Sequence, residues 1–216
     1  MRLSNSQFVT SADHIADALR LAIFRGELSP GQALAQEEIA KRFGVSRIPV
    51  RDAMNQLQAE GLLRIVPGKG SFVADPSPEE VLETYEVRAL LEREALRLAF
   101  PHHNAQSLGR AERFLRQLDL ETDPSRWGEL DLEFHSARYA PAKKEKLFEV
   151  INSLRATSNR LHYLKTQSNK HLKDCQTAHW KILKACQARK LRDATGLLQQ
   201  HLLYAGSVVA ASARER

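Results

Sequence analysis

Glycine and proline residues divide residues 34–74 into two short helices and a hairpin. This pattern constrains the fold more than any other feature of the chain. The first helix ends at Gly44, because glycine readily takes the left-handed conformation that terminates helices. Ser46 suits the N-cap of the next helix, and Pro49 falls in its first turn, where no backbone N–H is required. Two apolar runs then flank a Pro-Gly-Lys-Gly turn at residues 67–70. The pattern predicts a winged helix-turn-helix.

The second helix of this motif separates an apolar face from a polar one. Arg47, Arg51 and Asn55 step by four along one side, away from a core stripe of helical spacing formed by Val50, Ala53, Met54 and Leu57. Arginine binds guanine and asparagine binds adenine in a major groove, and Ser46 suits a phosphate. The polar side therefore predicts a DNA-reading face. The alternative is a small helical domain with two solvated arginines.

The stretch resembles the GntR family of bacterial transcription regulators over about residues 11 to 75. The resemblance is carried by SPGQAL, EIA, GVSRIPVRDAM, LQAEGLL and the wing sequence GKG. It implies DNA contacts by Arg47, Arg51, Gly68 and Lys69. The complete set of expected DNA contacts is Ser46, Arg47, Ile48, Arg51, Asn55, Gly68 and Lys69. One departure is Glu37, at a position where many relatives contact DNA with an arginine. A carboxylate binds neither phosphate nor guanine, so the resemblance does not imply a DNA contact near the start of this helix.

Length and charge agree with a two-domain DNA-binding protein but do not by themselves indicate DNA. The 216 residues, 43% hydrophobic, allow one or two domains with real cores. The net charge is +6, yet the stretch through Asp75 holds nine Lys and Arg against eight Asp and Glu. The DNA prediction therefore rests on placed arginines. No signal peptide or membrane-length apolar run is present, so we expect a cytoplasmic protein without a membrane partner.

A second domain is predicted to begin after Asp75, where Ser77 and Glu80 form a capping box around Pro78. The predicted helices lie near 78–100, 104–120, 124–139, 143–167, 170–189 and 191–212. The fold class is mainly α: a winged helix-turn-helix for DNA over 1–75 and an all-α bundle for metal, effector and dimerisation over 76–216. Cys175 and Cys186, eleven apart in one helix, are separated by about 16 Å, so no disulfide is expected.

Four residues of the bundle suggest a metal site. Asp131 and His135 share one helix face because they are four apart. His179 and His201 lie on the last two helices, equally far from a predicted turn at residue 190, so an antiparallel pair would bring them to the same height. One carboxylate and three imidazoles suit zinc, nickel, manganese, cobalt or iron. They leave coordination positions on the ion open for water or an anion. The alternative is that each histidine is capped or solvated.

The bundle resembles the FCD ligand-binding domain, and its six-helix length resembles the VanR-type subgroup. The similar segments are LETYEVRALLEREALRLAF, DLEFHSA, TAHWKILKA and QQHLLYAG. The resemblance implies a divalent metal bound by Asp131, His135, His179 and His201. We expect zinc foremost, or otherwise nickel, manganese or iron. A departure lies in YAPAKKEKL at residues 139–147, which implies a different pocket entrance.

Arg88 lies on an apolar stripe with Tyr85 and Glu92. A buried cation needs a partner, and the resemblance favours binding of Arg88 to the carboxylate of a small acid beside the metal, with Tyr85 and Asn159 as further expected effector contacts. Arg155, Arg160 and His162 are weaker lining candidates. The alternative is a structural ion pair of Arg88 with Glu92.

The combined interpretation is a homodimeric regulator, expected to be a repressor, that binds a two-fold symmetric double-stranded operator and responds to a small carboxylic acid. One alternative is a metal-sensing regulator, in which the ion is the signal. Another is an enzyme that uses the centre of one Asp and three His, but no general base is placed for turnover, so we do not expect an enzyme.

Overall fold

The computed structural model describes residues 11–165 and 169–214. The chain divides into two compact units between Asp75 and Pro76. Among the described helices, none combines the length and the hydropathy that crossing a bilayer requires.

The first unit is a winged helix-turn-helix, which confirms the predicted fold. Its elements are α1 (Ser11–Phe24), β1 (Ala33–Leu34), α2 (Gln36–Phe43), α3 (Arg47–Ala59), β2 (Leu63–Val66) and β3 (Gly70–Val73). The strands form an antiparallel sheet in the order β1-β3-β2, and the wing pairs Leu63 with Val73 and Val66 with Gly70. Helix α1 and strand β1 are not among the elements predicted from the sequence. Both depend on tertiary partners, because α1 packs on α3 and the two residues of β1 pair only with β3.

The turn between α2 and α3 follows the predicted chemistry with one correction. Gly44 is left-handed, with φ of 66°, and its N–H bonds to the carbonyls of Ala40 and Lys41. Ser46 occupies the N-cap of α3, but its side chain makes no capping hydrogen bond. Its hydroxyl is exposed. Because the hydroxyl is not engaged with the backbone of its own helix, Ser46 contributes only its extended backbone to the cap.

The second unit contains six described helices at nearly the predicted positions. They are α4 (Pro78–Ala99), α5 (Ala105–Leu118), α6 (Pro124–Tyr139), α7 (Glu145–Lys165), α8 (Asn169–Gln187) and α9 (Leu191–Arg214). The capping box of α4 is present: Glu80 N–H donates to Ser77 Oγ at 3.2 Å, and Ser77 N–H donates to Glu80 Oε2 at 2.7 Å. Helix α7 starts two residues later than predicted, after Lys143 takes a left-handed conformation with φ of 51°.

Helices α4 and α9 pack against each other in antiparallel fashion. Gly206 faces Tyr85, and a Cβ at Gly206 would lie 2.6 Å from the Tyr85 Cβ, so this close approach requires glycine. Helix α8 carries Cys175 and Cys186, both buried and free, as the sequence predicts. The helices thus enclose a core with polar groups at its centre, where α4, α6, α7, α8 and α9 meet.

Candidate metal centre and DNA-reading face

The structure brings the four predicted metal ligands together in the core of the second unit. Asp131 and His135 lie on one face of α6, His179 on α8 and His201 on α9. The three histidines are buried, and their candidate ligand atoms all lie within 4.8 Å of one another. Asp131 lies beside this group, with its carboxylate close to two of the rings.

His179 is the centre of this arrangement. Its Nε2 lies 3.3 Å from His135 Nε2, 3.1 Å from His201 Nε2 and 3.3 Å from Asp131 Oδ1. Metal–nitrogen bonds of about 2.0–2.1 Å in tetrahedral geometry place two ligand nitrogens about 3.3 Å apart. A single shared proton cannot satisfy three such contacts, whereas one cation can. The residues therefore fit a divalent transition metal.

Gln176 fixes the orientation and the proton of the His179 ring. The Gln176 amide nitrogen donates to the Leu115 carbonyl at 2.9 Å and to Asp119 Oδ1 at 2.7 Å, so its oxygen faces His179 Nδ1 at 3.3 Å. Because an amide oxygen only accepts, Nδ1 carries a proton, and in the neutral ring Nε2 is the atom that can bind a metal. Such outer contacts hold a metal-binding imidazole in place.

Burial keeps the other two imidazoles neutral. Burial lowers the pKa of His135 well below its usual value, and the cations of Arg155 and Arg138 lower it further. Burial likewise lowers the pKa of His201, with His179 as the next cause. Both imidazoles are therefore held in the neutral form, which is the form that binds metal.

A buried carboxylate organises the cations around these histidines. Glu92 accepts from Arg88 Nε at 2.9 Å, from Arg155 Nη1 at 2.8 Å and from the Tyr139 hydroxyl at 2.7 Å. Burial alone would raise the pKa of Glu92, but Arg155 and Arg88 outweigh it and lower the pKa to about 2. Arg155 also donates to Asp131 Oδ2 at 2.8 Å, so it connects Glu92 to a candidate metal ligand.

Arg88, the predicted effector anchor, is paired with Glu92, as the alternative interpretation expected. Its guanidinium lies 4.7 Å from the centre of the Tyr85 ring. Arg88 and Tyr85 are both buried, as their position on the apolar stripe predicted. Arg88, however, already has a carboxylate partner. The side chains of Asn159, Arg160 and His162 lie outside the part of the chain that the structure describes.

Arg138 is a buried cation that the sequence analysis missed. Its Nη2 donates to His135 Nδ1, and its guanidinium lies 4.2 Å from the centre of the Phe134 ring. Its Nε and Nη1 have no hydrogen-bond partner among the described residues, although the side chain is fully buried. The available signal was its spacing, because a residue three positions after His135 lies on the same helix face.

The expected DNA contacts lie on exposed parts of α3 and the wing. Ser46, Arg47, Arg51 and Asn55 are exposed, and so is Ile48, at 64%. Gly68 and Lys69 are exposed at the wing tip, where Gly68 is left-handed with φ of 73°. Arg47 forms an ion pair with Glu37 at the start of α2.

Both units match known family models. Residues 11–73 match the model described as bacterial regulatory proteins, gntR family, and residues 83–204, more than half of the chain, match the FCD domain. The chain belongs to the GntR family. It is a DNA-binding transcription regulator of the GntR/FCD type, and this family consists of regulators rather than enzymes, so the enzyme alternative is set aside.

Individual relatives agree with this assignment. The GntR regulator is 34% identical over 128 residues to the Nta operon transcriptional regulator of Aminobacter aminovorans, covering 58% of this chain and 60% of that protein. It is 28% identical to the HTH-type transcriptional repressor RspR of Escherichia coli, covering 85% and 82%. A GntR structure from Rhodococcus sp. RHA1 aligns with a TM-score of 0.76 at 25% identity, covering 93% and 97%. Three of the curated relatives are covered over only 45% to 60% of their length.

Proposed function

We propose that this GntR regulator is a homodimeric repressor, released from a two-fold symmetric operator by a small carboxylate that binds beside a divalent metal. The observation that supports the effector is the guanidinium of Arg138, buried next to the histidines with two of its nitrogens unbonded among the described residues. A buried donor without a partner is unfavourable, and a buried charge more so. An anion that binds there relieves both penalties.

The buried charges around the histidines also favour an anionic effector. Three cations, Arg88, Arg138 and Arg155, face two carboxylates, Glu92 and Asp131. With neutral histidines this cluster has one surplus positive charge, and a divalent metal would add two more. A carboxylate matches this surplus, because it can bind a guanidinium with two hydrogen bonds and can also occupy an open position on a metal.

The proposed metal is zinc, with nickel, manganese or iron as further candidates, because three imidazoles and a carboxylate suit these ions. When bound, the ion would supply a fixed positive charge and open positions for an anion. Asp131, His135, His179 and His201 would hold it. Four protein ligands fill a tetrahedral zinc site, so an anion would bind either by expanding the coordination of zinc or at an open position of a six-coordinate ion.

Arg138 also connects the anion to the metal ligands. In this structure Arg138 Nη2 donates to His135 Nδ1, which places the ring proton of His135 on Nε2. An anion that draws Arg138 away leaves Nδ1 to carry the proton and donate to Glu92 Oε2, 3.4 Å away. His135 Nε2 then has a free lone pair. We therefore expect carboxylate binding and metal binding to strengthen each other, as thermodynamic linkage requires.

The effector proposal predicts a specific loss in Arg138→Met. In a thermal-shift assay of metal-loaded protein with acetate, lactate, succinate and citrate, a carboxylate that binds should raise the wild-type Tm. The variant should bind that acid about 10- to 150-fold more weakly, because hydrogen bonds to a charged group contribute about 1.5–3 kcal/mol. Its metal content should be no lower than that of the wild type, because the loss of Arg138 leaves His135 Nε2 available to the ion.

Arg88→Met serves as the matched comparison, because Arg88 is also buried and is the arginine that the sequence predicted to bind the effector. The proposal expects a smaller loss of carboxylate affinity in this variant than in Arg138→Met. Equal carboxylate affinity of wild type and Arg138→Met would refute the anchor. If a chelator alone released operator DNA and no carboxylate did, the protein would instead be a metal sensor.

We propose that DNA is contacted by Ser46, Arg47, Ile48, Arg51, Asn55, Gly68 and Lys69. Support comes from their exposure on one helix and the wing, and from the GntR match over this unit. Repression is the proposed sign because RspR and GlaR, two relatives from Escherichia coli, are named repressors.

The DNA contacts predict two different kinds of loss. Arg51→Ala should weaken operator binding by about 1–3 kcal/mol and relax specificity at one base pair, because a bidentate contact to guanine is removed. Lys69→Ala should weaken binding to all sequences alike. The measurement is fluorescence anisotropy with a duplex selected from a random pool by the wild-type protein. A footprint and affinity unchanged in Arg51→Ala, with helix content intact by circular dichroism, would remove Arg51 from the reading face.

A further inference from the structure

Glu37 and Arg47 form an ion pair that connects the start of α2 to the start of α3. Both side chains are largely exposed, at 78% for Glu37 and 64% for Arg47. Ion pairs this exposed add little to fold stability, because solvent screens them. Stability is therefore not the main consequence of this pair, and its position beside the proposed reading face allows it to act on DNA recognition.

We propose that Glu37 is a positioning residue for Arg47, which holds the guanidinium in one orientation and so sharpens its discrimination of guanine while lowering general affinity for DNA. The inference rests on the proposed DNA contact by Arg47. It explains why an acid can occupy a position at a DNA-binding surface without contacting DNA itself.

The geometry leaves Arg47 free to read a base while Glu37 holds it. Only the Nη2 atom of Arg47 bonds to Glu37, so Nε and Nη1 keep donors for a guanine edge. A long side chain loses conformational freedom when it binds, and a contact that restricts it beforehand reduces this loss. The restriction strengthens binding most at the correct base, because only there does the held guanidinium meet both guanine acceptors. A mismatched base gains less.

The charge of Glu37 acts on all DNA sequences alike. A carboxylate close to the phosphate backbone repels it irrespective of base sequence, and it lowers the number of counterions released on binding. The repulsion is therefore common to the operator and to other DNA, whereas the positioning of Arg47 favours only the operator. Together they raise the ratio of specific to non-specific binding.

A different explanation is that Glu37 stabilises the start of α2, where acidic side chains interact favourably with the helix dipole. Glu38 lies in the same first turn, carries the same charge and is exposed. Among the described residues it has no ion pair. Glu38 is therefore a control for the helix start, because its substitution removes the same charge from the first turn of α2 without touching Arg47.

The experiment measures affinity by fluorescence anisotropy for a duplex selected from a random pool by the wild-type protein, and for single-base variants of it. Arg47→Ala identifies the base pair whose discrimination depends on Arg47. Glu37→Ala should bind all duplexes several-fold more tightly, with a steeper salt dependence, yet lose at least fivefold discrimination at that base pair. Glu38→Ala should retain the discrimination at that base pair.

Two further variants separate positioning from charge. Glu37→Gln should keep part of the discrimination, because its amide oxygen still accepts from Arg47, although the repulsion of phosphate is gone. In an Arg47→Ala background, Glu37→Ala should cause no further loss at that base pair. Unchanged discrimination in Glu37→Ala, or equal behaviour of the Glu37 and Glu38 variants, would overturn the inference. An Arg47→Ala variant with no base preference altered would overturn the proposed contact as well, which distinguishes the two failures.

Discussion

Replacing His179 by alanine is expected to remove metal from the protein. His179 Nε2 is the atom that faces His135, His201 and Asp131 at 3.1–3.3 Å, so its loss removes the ligand next to all the others. Losing only an outer contact of a metal ligand commonly weakens affinity about 10–100-fold, so losing the ligand itself should weaken it by more than about 100-fold. Metal analysis by mass spectrometry after dialysis should find about one ion per wild-type chain and almost none in the variant.

His102→Ala is the control, because His102 is an exposed histidine of the same unit outside the cluster. Its metal content should equal that of the wild type. Equal metal content in wild type and His179→Ala would show that the three histidines do not bind the ion. If His179→Ala also loses helix content, the same metal analysis is made on His179→Gln. This variant removes the imidazole but keeps a polar side chain of similar length, so it tests loss of the ligand without loss of the fold.

Glu92→Gln is expected to cause the largest loss of stability. The substitution keeps the size of the side chain but removes the charge that compensates Arg88 and Arg155. Removing one partner of a buried ion pair commonly destabilises a protein by about 3–5 kcal/mol. Urea denaturation at pH 7 should detect this as a lower midpoint. The control is Glu94→Gln on the same helix, which should change nothing measurable, since Glu94 pairs with Arg97 at the surface.

The contribution of Glu92 should depend on pH in one direction. Its pKa is lowered to about 2 in the folded protein, from an ordinary value of 4.5, so the folded state favours the carboxylate. The contribution is complete above about pH 4.5 and is lost as the pH falls towards 2. The difference in unfolding free energy between wild type and Glu92→Gln should therefore narrow between pH 5 and pH 3. A difference that is absent at pH 7, or that grows in acid, would contradict the ion-pair network.

Local sequence determined most of the secondary structure and the residues of the candidate metal centre. Gly44 ends α2, the capping box of Ser77 and Glu80 starts α4, and each depends on residues only a few positions apart. The candidate ligands were predictable for the same reason. Asp131 and His135 share a face by helical spacing, and His179 and His201 are related by the turn between α8 and α9, which are consecutive helices.

Tertiary structure decided which charged groups meet. Glu92 is shared by Arg88 on its own helix and by Arg155 on α7, and this sharing leaves Arg138 on α6 without a carboxylate partner among the described residues. The ion pair of Glu37 with Arg47 likewise joins two helices. Sequence spacing specifies the face on which a side chain lies, but its partner on another helix depends on how the helices are rotated and how closely they approach. Those variables are set by packing of the whole core, so the sequence alone predicted the ligands of the candidate metal centre but not the arginine beside them.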